Sequence, residues 1–103
     1  MNVVRLVEAL PKAQSSDIVG KQLMRSAISV GANYRAACKA RSKSDFISKI
    51  GIAEEEADET QYWLEILFAL DRIGIDHSKA LHAEAQELTA ILTSSGKTAR
   101  ANR

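Results

Sequence analysis

Proline occurs once in this chain of 103 residues and glycine five times. So few turn formers exclude a fold of many short strands and favour a few long helices. Cysteine also occurs once, at Cys38, so no disulfide can close within the chain, and a reducing compartment is expected. No apolar run approaches the ~20 residues of a membrane span. The opening MNVVRLVEALPK lacks the long apolar core of a secretory signal. Together these absences lead us to expect a cytoplasmic protein. Neither sign of charge prevails: the net charge is +1, which excludes a general polyanion binder. What is present, 46% hydrophobic and 26% charged residues, suits one soluble domain with a modest core.

The apolar residues recur at helical spacing. Val3, Val4, Leu6, Val7 and Leu10 form a stripe over residues 2–10. Pro11 ends it, because the residue before a proline disfavours helix. This element is shorter than the ~12–15 residues needed for marginal stability alone, so it must dock on another. After a polar connector over residues 12–15, Ser15 or Ser16 caps a second helix, with Asp17 in its first turn, running to about Ala40. A third starts near Ser44, where Ser42 and Asp45 stand at capping-box spacing, and runs through Gly51 to about Ile73. Gly74 then serves as C′, with Ile75 packing back on Leu70. Asp76 caps a fourth helix that buries Ala80, Leu81, Ala85, Leu88, Ile91 and Leu92 and stops near Ser95, at Gly96. Short connections imply antiparallel neighbours. The expected fold is all-α: an antiparallel up-down four-helix bundle with a short first helix over residues 1–96, followed by a mobile basic tail over 97–103.

Gly31 lies mid-helix, where glycine costs about 1 kcal/mol relative to alanine. Close approach of another backbone would offset that. With the turn centred on Ser42, Gly20, Met24, Ala27, Gly31, Tyr34 and Cys38 face Leu64, Thr60, Ala57, Ala53, Ile50 and Phe46. Small meets small at Ala27/Ala57 and Gly31/Ala53, which predicts a helix seam with a narrow waist. A second stripe, Val19, Leu23, Val30 and Ala37, then faces the other helices, as do Trp63, Ile66, Leu70 and Ile73. The same register sets Arg25 opposite Glu59, with Glu55 and Glu56 nearby, as structural ion pairs. Exposed pairs are worth only ~0–1 kcal/mol each, so they select register more than they stabilise.

No constellation of catalytic residues emerges. His77 and His82 are five apart and do not share a helix face as metal ligands. The fragment His82-Ala83-Glu84 lacks the Pro-Cys-x-x-Cys that zinc deaminases require. The carboxylates of Glu54–Glu59 lack the Glu-x-x-His repeats of a di-iron bundle. Ser26, Ser29 and Cys38 have no histidine near them, and Cys38 reads as a small buried seam residue. Gly31 sits inside a helix rather than in a phosphate loop. No metal, cofactor, small-molecule substrate or enzymatic activity is expected. Two interaction signals survive. Lys21, Arg25, Ile28, Arg35 and Lys39 share one face of the second helix, and Arg41, Lys43 and the tail add cations. With Arg25 committed to carboxylates, Lys21, Arg35, Lys39, Arg41 and Lys43 are the candidate phosphate contacts. The competing reading is neutralisation by the acidic run, leaving a structural or protein-interaction module without nucleic-acid affinity. Phe68 lies off the core stripe and, with Ile28, suits a subunit interface.

The segments Arg25–Ala37, RSAISVGANYRAA, and Glu54–Leu64, EEEADETQYWL, carry a resemblance that extends from Val3 to about Leu92. The chain resembles the bacterial four-helix-bundle proteins encoded in intervening sequences of large-subunit (23S) ribosomal RNA genes. The resemblance implies a four-helix bundle, often a ring-like homopentamer. It also implies kinship with accessory proteins of diversity-generating retroelements, which bind nucleic acid and a reverse transcriptase. No enzymatic activity is implied. Members usually carry further helical residues before the segment matching Val3–Pro11. The functional expectation is a non-catalytic homo-oligomer, by resemblance a pentamer, that binds RNA or a nucleoprotein partner.

Overall fold

The structure, a computed structural model, describes residues 3–11 and 13–102. Asn2 of the expected first helix, Lys12 of the connector and Arg103 of the tail lie outside these residues. Four helices follow one another: α1 Val3–Ala9, α2 Gln14–Cys38, α3 Lys43–Ala69 and α4 Ile75–Ala101. They form a rod of 47 × 20 × 16 Å. The bundle is all-α, as the spacing of apolar residues predicts.

α3 is the central element. Its stripe Ile50, Ala53, Ala57, Thr60, Leu64 and Leu67 is buried, and it packs against both α2 and α4, whereas α1 lies on α2. Polar cross-links fix antiparallel registers. Thr60 Oγ1 donates to Ser26 Oγ at 3.0 Å on the α2 side, and Gln61 Nε2 to Thr89 Oγ1 at 2.8 Å on the α4 side. Two apolar clusters result. One joins Val3 and Leu6 of α1 to Val19, Leu23, Leu64, Leu67, Ile73, Leu81 and Ala85. The other joins Val30, Ala37, Ile50, Ala53, Ala57 and Leu92, without α1.

The expected seam is only partly closed: its α3 side, Ile50, Ala53, Ala57, Thr60 and Leu64, is buried, whereas on α2 most of the burial falls on the neighbouring stripe. Val19, Leu23, Ser26, Val30 and Ala37 are buried, as are Ser16 and Gly20, while Gly31, Tyr34 and Cys38 are exposed. Leucine and valine remove more apolar surface from water than glycine and alanine, so the larger stripe takes the deeper seat. Gly31 therefore does not meet Ala53: a Cβ there would have no atom within 4 Å. Cys38 is not a buried seam residue. Gly20, at the other end of the same stripe, is covered by α1 and the residue that follows it, with Val7 Cγ1 3.1 Å and Leu10 Cδ1 3.4 Å from a Cβ position.

The tight approach occurs instead at Gly96, where a Cβ would lie 3.3 Å from Ile50 Cγ2 and 2.6 Å from Glu54 Oε1. Gly96 is buried inside α4 rather than terminating it. The helix continues to Ala101 because its last turns dock on α3: Arg100 Nη2 lies 3.7 Å from Glu54 Oε1, and Lys43 Nζ donates to the Asn102 carbonyl. Within α4, Ala80 and Ile91 are exposed, contrary to expectation, and Leu81, Ala85 and Leu92 carry the burial.

Helix ends also differ in detail. Ser42 caps α3 as expected, its Oγ accepting from Asp45 N at 3.0 Å. α2 begins earlier, with Ala13 as its N-cap and no side-chain cap, and Ser16 is buried within it. α3 ends at Ala69, before the expected Ile73. Asp71 adopts φ 59°, with Asp71 N bonding Phe68 O and Arg72 N bonding Leu67 O, each at 2.9 Å. That is the Schellman motif expected at Gly74, built three residues earlier on an aspartate. Leu70 becomes the C-cap and is 39% exposed, and Gly74 caps α4.

Three substitutions test this packing in urea unfolding. Gly31→Ala raises the unfolding free energy by about 1 kcal/mol, since helix propensity improves in open space. Gly96→Leu lowers it by about 1–3 kcal/mol through overpacking on Ile50. Equal shifts at the two glycines would contradict the arrangement. Asp71→Gly raises stability by roughly 0.5–1 kcal/mol, because glycine relieves the left-handed conformation and removes an anion from a helix C-terminus. An unchanged or lower midpoint for Asp71→Gly would count against the Schellman turn.

Candidate nucleic-acid interface

Arg25 is the hub of an exposed network between α2 and α3. Its Nε donates to Gln22 Oε1 at 3.0 Å, its Nη1 to Glu56 Oε2 at 3.1 Å and its Nη2 to Glu59 Oε1. Trp63 Nε1 donates to the same Glu59 oxygen at 3.1 Å. Arg25 and Glu59 are thus opposed as the register requires, and Glu56 joins them. Glu55 is exposed and has no ion pair among the described residues. The hydrogen bond from Arg25, then that from Trp63, holds the Glu59 carboxyl below its ordinary 4.5. The bond to Glu59 raises the Arg25 guanidinium above its ordinary range.

Of the candidate phosphate contacts, Lys21, Arg35, Lys39, Arg41 and Lys43 are all exposed. Lys43 is tied to the C-terminus of α4 through the Asn102 carbonyl, a favourable place for a cation. The helical continuation past Gly96 places Lys97 and Arg100, with the expected tail, at the same end of the rod as the α2–α3 turn. Arg100 is paired with Glu54. Lys39, Arg41 and Lys97 are exposed and carry no ion pair among the described residues. The sequence held a signal for this join: Leu88, Leu92, Gly96 and Ala99 continue one helical stripe through the glycine.

A second feature is a groove of about 240 Å³ along the middle of the rod. α2 contributes Ala27, Val30, Gly31 and Tyr34; α3 contributes Ala57 and Thr60; α4 contributes Ala85 and Leu88. Elsewhere, His82 Nε2 lies 3.0 Å from Glu65 Oε1 on the surface. Among the described residues, no group of three or more His, Cys, Asp or Glu side chains is placed to hold a metal ion, and no helix is long and apolar enough to cross a membrane.

Residues 1–94 match the family described as 23S rRNA-intervening sequence protein. A solved structure of a protein with unknown function from the S23 ribosomal protein family of Bacteroides thetaiotaomicron VPI-5482 is 38% identical, with a TM-score of 0.86. The match covers 92% of this chain and 85% of that one. No curated protein matches the chain.

The lowered Glu59 carboxyl fixes the sign of a pH effect. Its contribution is present above the ordinary carboxylate range and is lost as pH falls through the depressed folded value. Urea midpoints measured from about pH 7 down to about pH 3 therefore fall more steeply for the wild type than for Glu59→Gln. Parallel profiles would mean that the Arg25–Glu59 contact contributes nothing to folding.

Proposed function

The chain belongs to the family of 23S rRNA-intervening sequence proteins, and we propose that it is a non-catalytic, self-associating helical bundle that binds RNA or a nucleoprotein through the basic end of its rod. The observation that carries this reading is the convergence of cations from three separate segments. Lys39 ends α2, Arg41 lies in the turn, and Lys97 arrives on the last turns of α4. Arg35 stands one turn before Lys39 and extends the patch along α2. Lys21 is remote from this end and is a peripheral contact. The patch meets phosphates rather than base edges, which gives affinity with little sequence preference.

Self-association is supported by large apolar side chains left in solvent. Ile28 is 58% and Phe68 45% exposed. Burying them against another copy, in the family's pentamer as first choice, is a simple way for so small a bundle to cover apolar surface. We place the protein in the cytoplasm, with no cofactor or small-molecule substrate.

The test is affinity for unrelated structured RNAs as a function of salt. Wild type binds at low salt and weakens steeply as salt rises. The variant Lys39→Ala/Arg41→Ala/Lys97→Ala weakens every RNA similarly, and the slope of log affinity against log salt becomes shallower by roughly two to three. No wild-type binding at low salt, or indistinguishable curves, would favour a protein-interaction module without nucleic-acid affinity. Light scattering that gives only monomer mass at micromolar concentration would remove self-association from the proposal.

A further inference from the structure

α3 and α4 enclose a second hollow, a shallow valley of about 560 Å³. Its walls are small side chains: Ala90, Thr93 and Ser94 of α4 lie across from Gln61 of α3. The hydroxyl donors of its threonines are already used. Thr89 Oγ1 donates to the Ala85 carbonyl at 2.8 Å and Thr93 Oγ1 to Glu54 Oε2 at 3.5 Å. An aliphatic side chain entering the valley therefore strands neither of them. Of the carboxylates on this side, Glu54 is paired with Arg100 and Glu65 lies against His82. Asp58, one turn before Gln61, and Glu87, one turn before Ala90, are exposed and carry no ion pair among the described residues. Lys97 lines one end.

The outer face of α2 has the complementary character. Lys21, Ile28 and Ala32 share it and are exposed, Ile28 by 58%. The cross-links between helices fix the level of each feature along the rod. Ser26 bonds Thr60, and Gln61, next to Thr60, bonds Thr89. Counted along the antiparallel helices from these bonds, Ile28 is about level with Asp58 and Thr93, Lys21 with Glu87, and Ala32 with Lys97. A second copy turned about an axis along the rod keeps these levels. It brings an aliphatic side chain to the small walls, a cation to an anion, and a small residue to the long side chain of Lys97. We propose that the α2 ridge Lys21–Ile28–Ala32 of one copy inserts into the α3–α4 valley of the next. Ile28 seats on Ala90, Thr93 and Ser94, and Lys21 lies against Glu87. The apolar contact supplies affinity and the charge pair sets the register. The two surfaces differ, so the contact is head-to-tail and closes a ring when the rotation allows. Lys39 and Arg41 lie beyond the end of the valley and stay open.

This contact rests on the self-association proposed above, and its test separates the two. Ile28→Asp blocks the ridge and Ala90→Arg blocks the valley. Both positions are exposed and helical, so each variant is expected to keep its helical circular dichroism and cooperative unfolding. By light scattering at micromolar concentration, the wild type is expected to be an oligomer and each variant a monomer. Mixed one to one, the variants are expected to form a dimer, because the Ala90→Arg chain still offers its ridge and the Ile28→Asp chain its valley. Adding Lys21→Glu to the Ala90→Arg chain weakens that dimer roughly fivefold, and adding Glu87→Lys to the Ile28→Asp chain restores it. A monomeric wild type removes self-association and this contact with it. A wild-type oligomer that survives both variants overturns the ridge-and-valley contact alone and leaves self-association to another surface. So do two monomeric variants that stay monomeric when mixed.

Discussion

α3 has one apolar stripe and must satisfy two helices with it. Ile50, Ala53, Ala57, Thr60, Leu64 and Leu67 are all buried, and both α2 and α4 pack along them. At the ends of the rod the stripe is large, with Leu64 and Leu67 in one cluster and Ile50 in the other. In the middle it narrows to Ala57 and Thr60. Small side chains in a shared stripe either let neighbours close in or leave space between them. Here the narrow middle leaves the interval between α2 and α4 open as the groove, while the close approach of α4 comes at the large end of the stripe, where Gly96 makes room for Ile50.

Polar groups set the angular position of α2 on this stripe. Ser26, buried among apolar neighbours, accepts from Thr60 and donates to the Leu23 carbonyl at 3.1 Å. A buried hydroxyl left without partners would cost more than the bond itself contributes, so rotating α2 away from α3 is penalised. The Arg25 network adds the same constraint from outside. Its charges are partly in solvent and individually weak, yet Glu56 and Glu59 can be reached together in only one register.

Helix number, order and antiparallel packing were legible from apolar spacing alone, because long helices with polar connections leave few alternatives. The face α2 turns toward α3 was not. α2 carries two stripes with helical spacing, Val19-Leu23-Val30-Ala37 and Gly20-Ala27-Gly31-Tyr34, and matching small to small chose the second. Burial favours the first, because Leu23 and Val19 have more surface to remove from water. The open groove could not be read from pairwise complementarity, since it arises from three helices at once. The end of α4 is hidden in the sequence for a related reason. Gly96 is a helix stop by local rule, whereas here its missing side chain accommodates Ile50 and Glu54. In the sequence the α2 face, the turn and the tail are therefore separate groups of cations, and only tertiary docking brings the tail to the turn.

Close backbone approach among the described residues occurs only between helices adjacent in sequence: α1 with α2, α2 with α3, and α3 with α4. Every docking step therefore closes a short loop, for which the entropic cost is small. Such local topology belongs to chains that fold in microseconds to milliseconds. It also makes the order of opening uneven. α1 and α4 can each detach while the α2–α3 hairpin persists, so amide exchange slows from the outer helices inward and is slowest in the buried centre of α3.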